Sequence, residues 1–125
     1  MANTFKVFTI ADVAVDSGTY STIYTCAGST TGIVLSLNLC NKTDTDRDVT
    51  VKLTTNTGSR TGANDTANEA VTLLNEFIVP ANTTLEVMSG QKHVIETTDV
   101  LTIGAEAGSA IDATLSMMEI TLWNI

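Results

Sequence analysis

The sequence predicts an all-β chain: an antiparallel β-sandwich, jelly-roll-like or Ig-like, of eight to nine short strands in a single domain covering residues 1–125. Three observations predict it. Apolar side chains recur with a period of two in most segments, threonine is abundant, and clusters of Gly, Asn, Asp and Ser interrupt the alternation at short intervals. Threonine's branched Cβ suits a pleated surface that is half wet, and regularly spaced turns between short strands are the mark of a sandwich.

The strands follow in order. "TFKVFTI" and "YSTIYTC" open the chain. In "GIVLSLNLC", Ile33, Leu35, Leu37 and Leu39 fall on one face, and Val34, Ser36, Asn38 and Cys40 on the other. "DVTVKLTT" repeats the pattern with Val49, Val51 and Leu53. "TNTGSRTGANDTANE" is too long for a tight turn and too short for a domain linker, so residues 56–68 are expected to project as a loop. "ANEAVTLLNEFIVP" carries two readings. Ala70, Leu73, Leu74 and Phe77 make a helical stripe, with Asn64 or Asp65 as caps, whereas "LLNEFIV" running into Pro80 reads as a strand. Pro80 has no N–H for a ladder and belongs at a strand end, an edge or a bulge. "TTLEVM", "HVIE" and "VLTI" are short strands, and "AIDATLSMMEITLW" is the long closing one.

That last strand changes parity. Ile111, Ala113, Leu115 and Met117 alternate inward, and then Met118, Ile120 and Leu122 take over the apolar positions. Either a bulge near Met117 and Met118 restores a single face, or the strand is buried on both faces, one of them by another subunit.

A chain of 125 residues forms one compact domain burying about two-thirds of its unfolded surface. The formal charge is −8 and the six basic residues are scattered, so no groove for phosphates is built and neither nucleic acid nor an anionic membrane is an expected partner. No apolar run approaches the ~20 residues that span a bilayer, and "MANTFKVFTIADV" lacks the pattern of a secretory leader, which predicts synthesis in the cytoplasm. If Cys26 and Cys40 lay on neighbouring strands of a hairpin through "AGST", they would sit roughly 30 Å apart, so free thiols are expected rather than a disulfide. The sequons at Asn41, Asn64 and Asn82 are chance products of a Thr-rich chain.

Candidate chemistry is sparse. His93 is the single histidine; a hydrolytic triad would need it beside Ser89 or a cysteine and an oriented acid, and no nucleophile-elbow motif is present. It is expected to be an exposed residue at a strand start. Asp44, Asp46 and Asp48 alternate as in the opening of a calcium loop, but the places for Gly and the bidentate Glu hold Val49 and Thr55. They are expected to form a solvated turn, with Arg47 offsetting their charge. No catalytic residue, metal ligand or cofactor is assigned. Of the aromatic residues Phe5, Phe8, Tyr20, Tyr24, Phe77 and Trp123, several fall on inward parity, which disfavours a platform for sugars.

"LLNEFIVPANTTLEVMSGQKHVIETTDVLTIGAEAGSAIDATLSMMEI", together with the earlier "VLSLNLCNKTDTDRDVTVKLT", resembles small structural proteins of tailed bacteriophages. In these a strand reaches "IPAxxxLEV", and a "GQK" turn, a "DxLxI" strand, a loop of small residues and a closing "SxxEI" strand follow. The resemblance covers roughly residues 28–120. It implies a non-enzymatic β-sandwich subunit of the virion, at the capsid surface or the neck and tail, present in symmetric copies. The implied partners are the chain itself and other virion proteins such as major capsid, portal or tail proteins. On that reading the contacts are made by a docking N-terminal segment (1–10) with Phe5, Val7 and Phe8, by the 56–68 loop with Arg60, and by a docking C-terminal segment (119–125) with Trp123 and Ile125. The alternative is a receptor- or carbohydrate-binding sandwich, as at a tail-fibre or adhesin tip.

Overall fold

Period-two patterning over most of the chain produces two layers of strands. In order they are β1 (Ala2–Ile10), β2 (Ser21–Thr25), β3 (Thr30–Asn41), β4 (Arg47–Thr55), β5 (Glu69–Val79), β6 (Thr84–Glu86), β7 (Val94–Ile95), β8 (Val100–Ala105) and β9 (Ile111–Thr121). The structure is a computed structural model that describes residues 2–55, 69–88 and 92–121, and these contain no helix. The 56–68 loop with Arg60, and Trp123 and Ile125, lie outside the described residues.

The front sheet has the order β1-β9-β3-β6, with β7 also paired to β3; the back sheet has the order β2-β8-β4-β5. With β6 and β7 taken as one interrupted strand, each sheet has four, and the chain crosses between layers at every connection except β4 to β5. That is the jelly-roll order. Between the layers, Leu37, Leu39, Val49, Val51, Leu101, Ile103, Leu115 and Met117 are fully buried. Each contributes about 1.5–3 kcal/mol through removal of its apolar surface from water.

Four local expectations meet the structure here. Residues 69–79 are a strand, paired with β4 from Thr55↔Glu69 to Arg47↔Val79. The helical stripe arises because two register shifts break its alternation, and Glu76 lies in the left-handed region at φ 49°. Pro80 follows directly at the end of that strand. Second, no bulge occurs at Met117 and Met118: β9 runs against β1 in unbroken register from Ala2↔Thr121 to Ile10↔Ala113. The irregularity lies across the ladder, between Val34 and Ser36 of β3. Third, that bulge corrects the faces assigned to β3. Val34, Leu37 and Leu39 point inward, while Leu35 is 39% exposed and Ile33 turns outward. The bulge falls where β3 loses its outer neighbour, because β6 pairs with Asn38–Cys40 and β7 only with Gly32–Ile33. In the gap the Glu86 carboxylate accepts hydrogen bonds from the Leu37 and Met88 N–H groups at 3.0 and 2.8 Å. Fourth, β2 and β3 belong to different sheets and form no hairpin. Both cysteines are nevertheless free, since Cys26 lies beside Thr30 at one end of β3 and Cys40 near its other end.

Asn41, at the end of β3, holds the crossing to β4. It is buried; its amide donates to the carbonyls of Thr45 and Val79, each at 2.9 Å, and its oxygen accepts from the Thr43 N–H and hydroxyl. This sequon asparagine is therefore a structural one, its side chain fully engaged. Asn41→Ala removes these four bonds at a buried position, so we expect a loss of about 2–4 kcal/mol. Urea unfolding of the two proteins checks it; a midpoint unchanged at equal slope contradicts the role.

Candidate functional site

Among the described residues, which exclude Ser89, those that could carry chemistry do not converge. His93 leads into β7 at the edge of the front sheet, where its carbonyl accepts a hydrogen bond from the Val34 N–H at 2.9 Å. The three aspartates of "DTDRD" separate. Asp46 accepts from the Ala81 N–H at 3.0 Å, Asp44 lies against the Thr45 hydroxyl, and Asp48 borders Glu106 on β4. Partial burial first, and then Glu106, Glu76 and Asp16, raise the Asp48 carboxyl above its ordinary value. Among the described residues no three His, Cys, Asp or Glu side chains come together as metal ligands would. Burial also pushes the Cys26 thiol up, away from the thiolate form that reacts. The aromatic residues are dispersed as well: Tyr24 is buried, Tyr20 lies under the Lys52 ammonium at 4.9 Å, and Phe5 and Phe77 are on opposite sheets.

What the fold does assemble lies around β1. Because β9 has no bulge, Glu119 keeps the inward parity of Ile111, Ala113, Leu115 and Met117, which puts a carboxylate inside the sandwich. Two groups compensate it. The Tyr24 hydroxyl of β2 donates to Oε2 at 2.6 Å, and the Lys6 ammonium of β1 sits 2.7 Å from Oε1. Lys6 and Tyr24, in that order, hold the Glu119 carboxyl below its ordinary value near 4.5, while burial and donation to Glu119 drive the Tyr24 phenol far upward. Tyr24 reaches across from the back layer only because residue 32 is glycine: a Cβ there would lie 2.7 Å from the Tyr24 hydroxyl and 2.8 Å from the Met117 methyl. Phe8 adds an edge-to-face contact with Tyr24, at 5.0 Å between centroids. At the far end of β1, Lys42 pairs with Asp12 and Asp112.

The same parity sorts the expected contact residues. Phe8 turns in with Lys6, whereas Phe5 and Val7 turn out, 73% and 61% exposed. Phe5 lies opposite Met118, Met118 opposite Ile33, and Ile33 opposite Val94, so one apolar row crosses all of β1, β9, β3 and β7 on the outer face. Ile120 and Leu35 flank it. From the Asn3–Ile120–Thr31 row to the Thr9–Thr114–Asn38 row, the outward side chains of β1, β9 and β3 carry no charge. The first charged one is Asp112. The row escaped the sequence reading because it is a cross-strand feature, and its residues come from four separate segments. The signal that pointed to it was the pair Met118 and Ile120 on outward parity.

No family model and no curated protein matches the chain. Its structure is similar to a solved chain of the Bacillus endospore appendages, described as a family of disulfide-linked pili, with a TM-score of 0.48 and 17% identity over 98% of this chain and 88% of that one.

The Lys6–Glu119–Tyr24 contact has a pH signature. A carboxyl held low in the folded chain contributes stability that is complete above its unfolded value and is lost as pH falls through the lower, folded one. Below pH ~4.5 the wild type therefore loses stability through this group, and Glu119→Gln does not. At neutral pH the variant should be less stable by about 1–2 kcal/mol, a figure kept small because Lys6 is half exposed. Thermal unfolding across pH 3–7 measures the gap, which should narrow in acid; a gap independent of pH rejects the role.

Proposed function

We propose that this chain is a non-enzymatic structural subunit of a tailed-bacteriophage virion. On this reading it is made in the host cytoplasm and assembles in symmetric copies at the capsid surface, neck or tail. Its partners are itself and other virion proteins of the major capsid, portal or tail kind, with no role for nucleic acid, membrane or cofactor. The observation that carries the structural role is the outer face of the front sheet. An uncharged stretch across β1, β9 and β3, with an apolar row from Phe5 to Val94, is costly to leave in water. Contiguous apolar surface of that kind marks a protein contact, and among the described residues nothing near it has the convergent polar groups of a catalytic cleft. The assignment to a phage particle is supported by the strand-and-turn pattern of residues 28–120.

Within this role Phe5, Met118 and Ile33 are the centre of a contact, Val7 its flank, and Arg60, Trp123 and Ile125 its proposed extensions. Met118→Lys places a charge in the middle of the face without disturbing the core, because that side chain points outward. Purified wild-type chain should sediment as a discrete oligomer, and Met118→Lys as a smaller species with the same far-ultraviolet spectrum. Antibody to the chain should decorate purified particles. A wild-type monomer, or particles that stay unlabelled, would overturn the corresponding half of the proposal.

A further inference from the structure

Four edges border the two sheets, and three carry the devices that stop an edge from pairing with another chain. On the front sheet, β6 and β7 are three and two residues long. On the back sheet, β2 has five residues and a register shift between Thr22 and Tyr24, and β5 has two shifts and a left-handed Glu76. β1 has none of these. It is nine residues long, contains no proline, runs without a shift and, among the described residues, is paired on one side only, to β9. A lysine is the usual guard of such an edge, but Lys6 is turned under the sheet to Glu119.

We infer that the open edge of β1 pairs antiparallel with β1 of a second copy of this chain, about a two-fold axis, joining the two front sheets into one. This deepens the self-assembly proposed above and rests on it. Charge argues for a second copy as the occupant. Two chains of −8 repel wherever their carboxylates meet, and β1 has no carboxylate: its single charged residue is Lys6, compensated by Glu119. A two-fold operator brings the same strand to itself, so no other surface has to be complementary. In the register centred on Lys6, Phe5 of each copy faces Val7 of the other on the outer face, while the two Lys6 side chains, opposite one another on the inner face, are each neutralised by the Glu119 of their own chain. Aromatic and β-branched side chains make favourable cross-strand pairs, and the apolar rows of the two sheets become continuous.

The test uses the full chain and two variants, with folding checked by circular dichroism. The double variant Phe5→Lys/Val7→Lys puts like charges opposite one another across the axis, whereas Met118→Lys alters the outer face away from the edge. By sedimentation and hydrogen exchange, the wild type should show β1 amides that gain protection as concentration and salt are raised, in step with dimer formation. The double variant should lose both. An oligomer that survives the double variant but is lost with Met118→Lys overturns the edge pairing while leaving self-assembly intact. A wild type that stays monomeric, with β1 amides exchanging freely at every concentration, overturns both.

Discussion

β9 runs eleven residues without a bulge, and most of what distinguishes this jelly roll follows from the parity that this preserves. Every second side chain of a central strand must enter the core, so Ile111, Ala113, Leu115 and Met117 bring Glu119 in after them. A carboxylate inside the sandwich is tolerable only when paired and hydrogen-bonded. The pairing requirement draws Lys6 and Tyr24 to it, and Gly32 leaves the space through which Tyr24 arrives. One parity constraint thus ties both layers to the N-terminal strand.

The outward half of the same strand obeys the complementary rule. With Glu119 inside, Met118 and Ile120 must face out, and the fixed register sets Phe5 and Val7 of β1 beside them. A bulge at Met118 would have buried the apolar pair and expelled the carboxylate, giving a more ordinary soluble surface. The chain instead keeps a buried charge and an exposed apolar row. Both cost stability in an isolated subunit, and a neighbour covering the outer face relieves the second of them.

The layered all-β architecture was legible because period two survives in β1, β4 and β9 and over most of β3, and Pro80 marked its strand end as its missing N–H requires. Three features were hidden for definable reasons. In β5 the two register shifts converted a strand pattern into an apparent helical stripe around Leu73, Leu74 and Phe77. In β3, strict alternation misassigned Ile33 and Leu35, since the bulge there answers to the gap between β6 and β7, which belongs to a segment some fifty residues away. The Lys6–Glu119–Tyr24 contact left only a faint trace, a charge on inward parity at each of two strands. Phe5 and Val7 were found by their position in an apolar terminal strand, but parity, once β9 is known to be unbroken, is what separates them from Phe8.

The attachment of β1 also bears on how assembly and order relate. A strand paired on one side and exposed along most of its length belongs to the part of a structure that opens most easily, because few buried contacts are lost when it leaves. Two clasps oppose that opening: Lys6 and Phe8 against Glu119 and Tyr24 toward one end, and the Lys42 pair with Asp12 and Asp112 just past the other. Surface pairs such as the second are worth little in water, and the first is half exposed at its ammonium. Anything that covers β1 therefore stabilises the register that buries Glu119, and the buried Glu119 in turn presents Phe5 and Val7 in the geometry a neighbour meets. Contact and internal fastening act on the same nine residues, so each strengthens the other.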